Sequence, residues 1–120
     1  MLIKMLDIIN ENVDNVTLIN LSSLTRPYLI LDSRKKVLLR VGQVKGQSVD
    51  AKTNYYRFKI YPIISKYDFI SFTIFYKESH TSYILSAKEI FRLKTLALRY
   101  RNDSEGMKWR GALNGWTLLK

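Results

Sequence analysis

A chain of 120 residues, 47% hydrophobic and 25% charged, is long enough to bury one core without covalent staples, and residues 1–120 read as a single domain. The absence of cysteine removes disulfides, thiolate catalysis and zinc–thiolate sites together, and a lone His80 argues against a histidine-based metal site or a Ser–His nucleophile pair. Basic residues outnumber acidic ones by 20 to 10, and a formal net charge of +10 favours polyanions, nucleic acid first and acidic membrane second.

The segment from Met1 to Ile9 is interrupted by Lys4 and Asp7, and no small-residue cleavage site follows, so it reads as a helix and not a signal peptide. No apolar run approaches the roughly 20 residues of a membrane span, which predicts a soluble, cytoplasmic protein with no membrane partner. Leu2, Ile3, Met5, Leu6 and Ile9 recur at helical spacing and predict a helix over about residues 2–12, with Asp7 and Glu11 four apart on one side. A short strand over Val16 to Leu21 follows. Pro27 then opens the apolar strand Tyr28-Leu-Ile-Leu31, and Asp32-Ser-Arg-Lys-Lys36 turns into a second hairpin arm, Val37 to Lys45. Gly42 inside that arm predicts a bulge or bend.

Gly46 to Thr53 is a polar loop. Tyr55 to Ile60 alternates aromatic and basic residues as a strand with a wet face, and Ile63 to Lys66 is a helical turn. Phe69 to Phe75 is the most strand-like stretch and the expected sheet centre, turning through Lys77–Thr81 into Tyr83-Ile-Leu85. Ser86-Ala-Lys-Glu89 is a capping box opening a helix that runs to Leu93 or beyond. The tail carries Arg99, Arg101, Lys108 and Arg110 with Trp109 and Trp116, and is expected as a final strand or short helix on the core's edge. The order predicts an α+β domain with one mixed sheet of about five strands flanked by helices.

Two observations single out the second hairpin arm. Side chains two apart on a strand share a face, so Gln43 sets an amide carbonyl beside the Lys45 ammonium. An acceptor oxygen for a metal next to a cation for a phosphate suits phosphodiester chemistry. Between Ser33 and Lys59 the cations are Arg34, Lys35, Lys36, Arg40, Lys45, Lys52, Arg57 and Lys59, against the single acid Asp50. Arg99, Arg101, Lys108 and Arg110 are further phosphate-clamp candidates flanking a loop with Asn102 and Gly106.

The succession of an acid-bearing first helix, the hairpin Pro27–Asp32 to Leu39–Lys45, a basic strand at Tyr55 and Tyr56, Tyr67–Phe72 and Tyr83–Ile90 resembles the PD-(D/E)XK nuclease superfamily. The likeness is to its small restriction-like, homing and resolvase-like members, and it covers about residues 1–92. It implies a restriction-endonuclease-like core and a Mg2+- (or Mn2+-) dependent DNA endonuclease. By that resemblance Lys45 orients or deprotonates the attacking water, Gln43 stands where the family carries a metal-binding acid, Asp32 is the hairpin aspartate, and Asp7 or Glu11 assists from the first helix. Glutamine offers an uncharged carbonyl oxygen to a hard cation. Since so short a chain cuts one strand per site, a homodimer or higher assembly is expected.

Plainer readings stand beside these. With Arg34-Lys35 as the turn, Asp32 is a turn former about 20 Å from Gln43, whereas a bulge at Gly42 or a wider turn shortens that gap. Asp7 and Glu11 also read as a solvated helix face, and His80 as an exposed turn residue. Trp109 and Trp116 read as core or lid aromatics. Tyr56 and Phe58 with Arg57 and Lys59 read either as a base-stacking strand or as a half-buried strand with a basic outer face. The alternative functions are a catalytically inactive basic DNA-binding module on the same fold, and a basic protein whose sheet edge takes a protein partner.

Overall fold

The structure, a computed structural model, describes residues 2–21, 26–44, 55–100 and 109–120. Helix α1 (Leu2–Asn12) leads into strands β1 (Val16–Asn20), β2 (Tyr28–Leu31) and β3 (Lys36–Val44). Strand β4 (Tyr55–Lys59) and a 3-10 turn at Pro62–Lys66 precede β5 (Phe69–Tyr76) and β6 (Ser79–Ser86). A single helical turn α2 (Ala87–Ile90), strand β7 (Thr95–Arg99) and 3-10 turns at Arg110–Ala112 and Trp116–Leu119 complete the chain.

Five strands form one mixed sheet in the order β1-β2-β3-β5-β6. The first three are an antiparallel meander, with Leu29 opposite Val37, and β5 pairs with β6 as a hairpin from Phe69↔Ser86 to Tyr76↔Ser79. The hairpin turns at Lys77, which takes the left-handed backbone with φ 53°. Strands β3 and β5 are parallel, from Val37↔Phe69 to Val44↔Tyr76. Parallel neighbours need a long crossover, and the segment containing β4 and the Pro62–Lys66 turn supplies it. The α+β class and the mixed sheet therefore match expectation.

Each face of this sheet has its own core. On one side Met5, Ile8 and Ile9 of α1, at helical spacing, pack with Val13 against Leu29, Leu31, Val37 and Leu39. Trp116 and Leu119 close the same cluster, so Trp116 is core, as its plainer reading held. On the other side Leu38, Ile70, Phe72, Ile74 and Tyr83 meet Phe58 of β4 and Leu96 and Leu98 of β7. The Phe58 and Phe72 rings meet tilted, 4.8 Å between centroids. This second layer is a two-stranded antiparallel sheet, in which β4 matches the strand expected over Tyr55–Ile60 and β7 lies just beyond Leu93, the expected reach of the helix opened at Ser86.

Two local expectations are corrected. The helix opened by Ser86 lasts one turn, with Ser86 Oγ accepting from the Lys88 amide at 3.3 Å, and does not run to Leu93. Thr95-Leu-Ala-Leu-Arg99 alternates in burial, and pairing with β4 buries Leu96 and Leu98 as no helix there would. Gly42 makes no bulge, because its pairing with Ile74 continues the parallel register on both sides. The glycine is needed for contact instead. A Cβ there would stand 2.5 Å from the Tyr56 ring, so β4 can lie against β3 only where β3 lacks a side chain.

Candidate nucleic-acid interface

Gln43 is exposed near the end of β3, on the face covered by α1, whereas Lys45, its partner in the expected site, lies outside the described residues, as do Lys52, Arg101 and Lys108. Asp32 sits in the β2–β3 turn, where its amide donates to Asn15 O at 2.8 Å and its carboxylate accepts from Thr17 Oγ1 at 2.7 Å. Lys36, beside that turn, and Gln43 are seven positions apart on β3. At about 3.3 Å per residue the gap is about 23 Å, so Asp32 and Gln43 cannot share an ion. The turn-former reading of Asp32 is the one its contacts fit.

The acids nearest the Gln43 end are on α1 and in the β5–β6 turn. Gln43 is in register with Phe75, and Phe75 with His80. A cavity of about 200 Å³ at that end is lined by Asp7, Glu11, Phe75, Lys77, Glu78 and His80, among others. Among the described residues no group of three or more His, Asp or Glu side chains is placed to hold a metal ion. His80 is exposed, as expected, but it lies on β6 opposite Phe75, its ring 6.2 Å away, and not in the turn.

The cations divide by location. Arg34, Lys35 and Lys36 cluster at the β2–β3 turn, all exposed, with Arg34 held at φ 70° and Lys35 Nζ 5.5 Å from the Phe69 ring centre. The remaining described candidates, apart from Arg110 in its 3-10 turn, gather on the β4–β7 layer. Arg57 and Lys59 are exposed on β4, and Arg99 is half-buried on β7 directly opposite Tyr55, its guanidinium 5.2 Å from that ring. Arg40 crosses from β3 to this layer. Its guanidinium donates to Lys59 O at 3.0 Å and lies over the Phe58 and Tyr61 rings at 5.5 and 5.8 Å. Burial lowers the Arg40 pKa from its ordinary value, with Tyr61 and Tyr56 opposing that shift.

Alternation in this layer is unbroken from residue 55 to 61. Tyr55, Arg57, Lys59 and Tyr61 face solvent, while Tyr56, Phe58 and Ile60 turn inward. Tyr61 keeps extended backbone (φ −102°, ψ 153°), which carries the pattern past the strand's last pair. Tyr56 and Phe58, offered by the sequence as base-stacking aromatics, are thus packing residues, with Phe58 only 3% exposed. The outward aromatics are Tyr55 at 41% and Tyr61 at 53% exposure. Their signal was already present, because outward Arg57 and Lys59 require outward neighbours two residues away on each side.

Across the face, Arg57 pairs with Ala97 and Lys59 with Thr95, small neighbours that leave both cations uncovered. The stretches 55–67 and 90–100 carry Arg57, Lys59, Lys66, Arg92, Lys94 and Arg99 and contain no acid. Arg92 and Lys94, exposed just before β7, were not singled out by sequence reasoning. No family model matches the chain, and no curated protein or solved structure matches it.

Proposed function

We propose that the protein binds DNA through the cationic outer face of the β4–β7 layer. The observation that carries this reading is the segregation of charge. The described acids lie on α1, in turns and on α2, at Asp7, Glu11, Asp14, Asp32, Asp68, Glu78 and Glu89, whereas the β4–β7 layer has cations alone. Arg57, Lys59 and Arg99 on one face neutralise phosphates without reading bases, so binding is sequence-independent and falls steeply with salt. Each phosphate contact contributes about 0.9 to the slope of log affinity against log salt on duplex DNA, so the three give a slope near −3. Fluorescence anisotropy of labelled DNA across a salt series is the test. A slope of about that size supports the reading, and no binding at low salt removes it.

A second reading, a Mg2+- or Mn2+-dependent endonuclease, is favoured by one placement: Asp7 and Glu11 line the cavity at the Gln43 end of the sheet. The ligand pair the resemblance implies, Asp32 with Gln43, lies too far apart to hold one ion. Supercoiled plasmid incubated with either cation decides between the readings. Nicking abolished by Asp7→Asn with Glu11→Gln supports hydrolysis, and linear product would call for a homodimer. Intact plasmid under conditions that retard it on a gel leaves binding alone.

A further inference from the structure

The exposed row Tyr55, Arg57, Lys59, Tyr61 has a composition that phosphate binding does not explain. Duplex DNA presents phosphates and grooves to a sheet face and gains little from two exposed phenol rings flanking two cations. A single strand offers unstacked bases as well as phosphates, and aromatic side chains beside a cationic track are what such strands use. The rings are six residues apart, about 20 Å along extended backbone, a span suited to several nucleotides. Each already has a guanidinium over its ring, Arg99 at Tyr55 and Arg40 at Tyr61, which holds the ring in place and adds a cation beside a stacked base.

We infer that β4 is a stacking platform for single-stranded DNA, which lies along the strand with bases on Tyr55 and Tyr61 and its phosphates on Arg57 and Lys59. This rests on the DNA-binding reading and narrows it to a substrate class. The shape of the face agrees. Ala97 and Thr95 on β7 leave a low floor beside Arg57 and Lys59, so an extended backbone can settle along the strand rather than cross it. An acidic peptide would use the two cations and leave both rings idle.

Labelled oligothymidylate and a duplex of equal length, titrated by anisotropy at matched salt, test it. The single strand is expected to bind more tightly than the duplex. Tyr55→Leu and Tyr61→Leu should each weaken the single strand about fivefold or more while leaving its salt slope unchanged. Tyr55→Phe and Tyr61→Phe, which keep the rings, should bind like wild type, and an unchanged melting curve checks that each variant folds. Arg57→Ala should instead lower the slope by about 0.7. Duplex binding equal to or tighter than single-strand binding, or leucine variants indistinguishable from wild type, would overturn the platform and leave the DNA-binding reading standing. Binding to neither nucleic acid, with capture by polyglutamate or anionic vesicles, would overturn both.

Discussion

The two faces of the central sheet are covered by opposite means. On one, α1 lays Met5, Ile8 and Ile9 over the strands and turns Asp7 and Glu11 to solvent beside Lys4, a mixed-charge exterior. On the other, β4 and β7 insert Phe58, Leu96 and Leu98 and present an exterior of cations and tyrosines without an acid. Both coverings solve the same burial problem. Only the second leaves its outer surface chemically one-sided, so burial does not account for its composition, whereas the proposed polyanion would.

The largest way to break this contrast is to detach the second layer. Phe72 is fully buried against Phe58, and Phe72→Ala should cost about 3–5 kcal/mol in urea unfolding, more than any exposed change on α1. Gly42→Ala comes next. Its Cβ meets a Tyr56 ring that Phe58 holds at 4.8 Å, so displacement should cost about 2 kcal/mol. Adding Tyr56→Leu should recover part of that loss, and strictly additive effects would refute the contact.

On the helix-covered side the sheet buries polar atoms instead. Thr73 Oγ1 and Ser82 Oγ share a hydrogen bond of 2.9 Å in a fully buried pair. Ser82→Ala should cost about 1 kcal/mol by orphaning Thr73, and Thr73→Val with Ser82→Ala should cost less than the single change. Between the strands and the β7 backbone, Tyr83 donates to Arg99 O at 2.6 Å, and burial raises its pKa to about 12. The folded chain then holds this proton more tightly than the unfolded chain, whose tyrosines titrate near ~10. Stability from this group is complete below about pH 10 and is lost as pH rises towards 12, and urea midpoints of Tyr83→Phe should lack that step. The smallest effect belongs to Asp32→Ala, within about 0.5 kcal/mol and silent in DNA binding, because its carboxylate serves an exposed turn.

Much of this fold was legible in the sequence, for reasons specific to each segment. Strands β2, β3, β5 and β6 announce themselves through β-branched and aromatic runs, and α1 through its apolar spacing. Strand β7 did not, because Ser86 and Glu89 signal a helix start locally and only pairing with β4 shows that it must stop. Gly42 misled in a related way, since a bulge and a close approach leave the same residue in a strand. The candidate site was half legible. Arg57 and Lys59 were identified as a wet face, and of the two readings of Tyr56 and Phe58 the half-buried strand with a basic outer face is the one that the parity of those cations supports.

The claim that the β4–β7 face itself, and not the net charge, attracts DNA is tested most directly by two charge-matched variants. Arg57→Glu with Lys59→Glu alters that face, and Lys4→Glu with Lys77→Glu alters the helix-covered end by the same total charge. At low salt the first pair should weaken DNA binding at least about tenfold, and the second should stay within about threefold of wild type. Equal losses from both pairs would contradict the account.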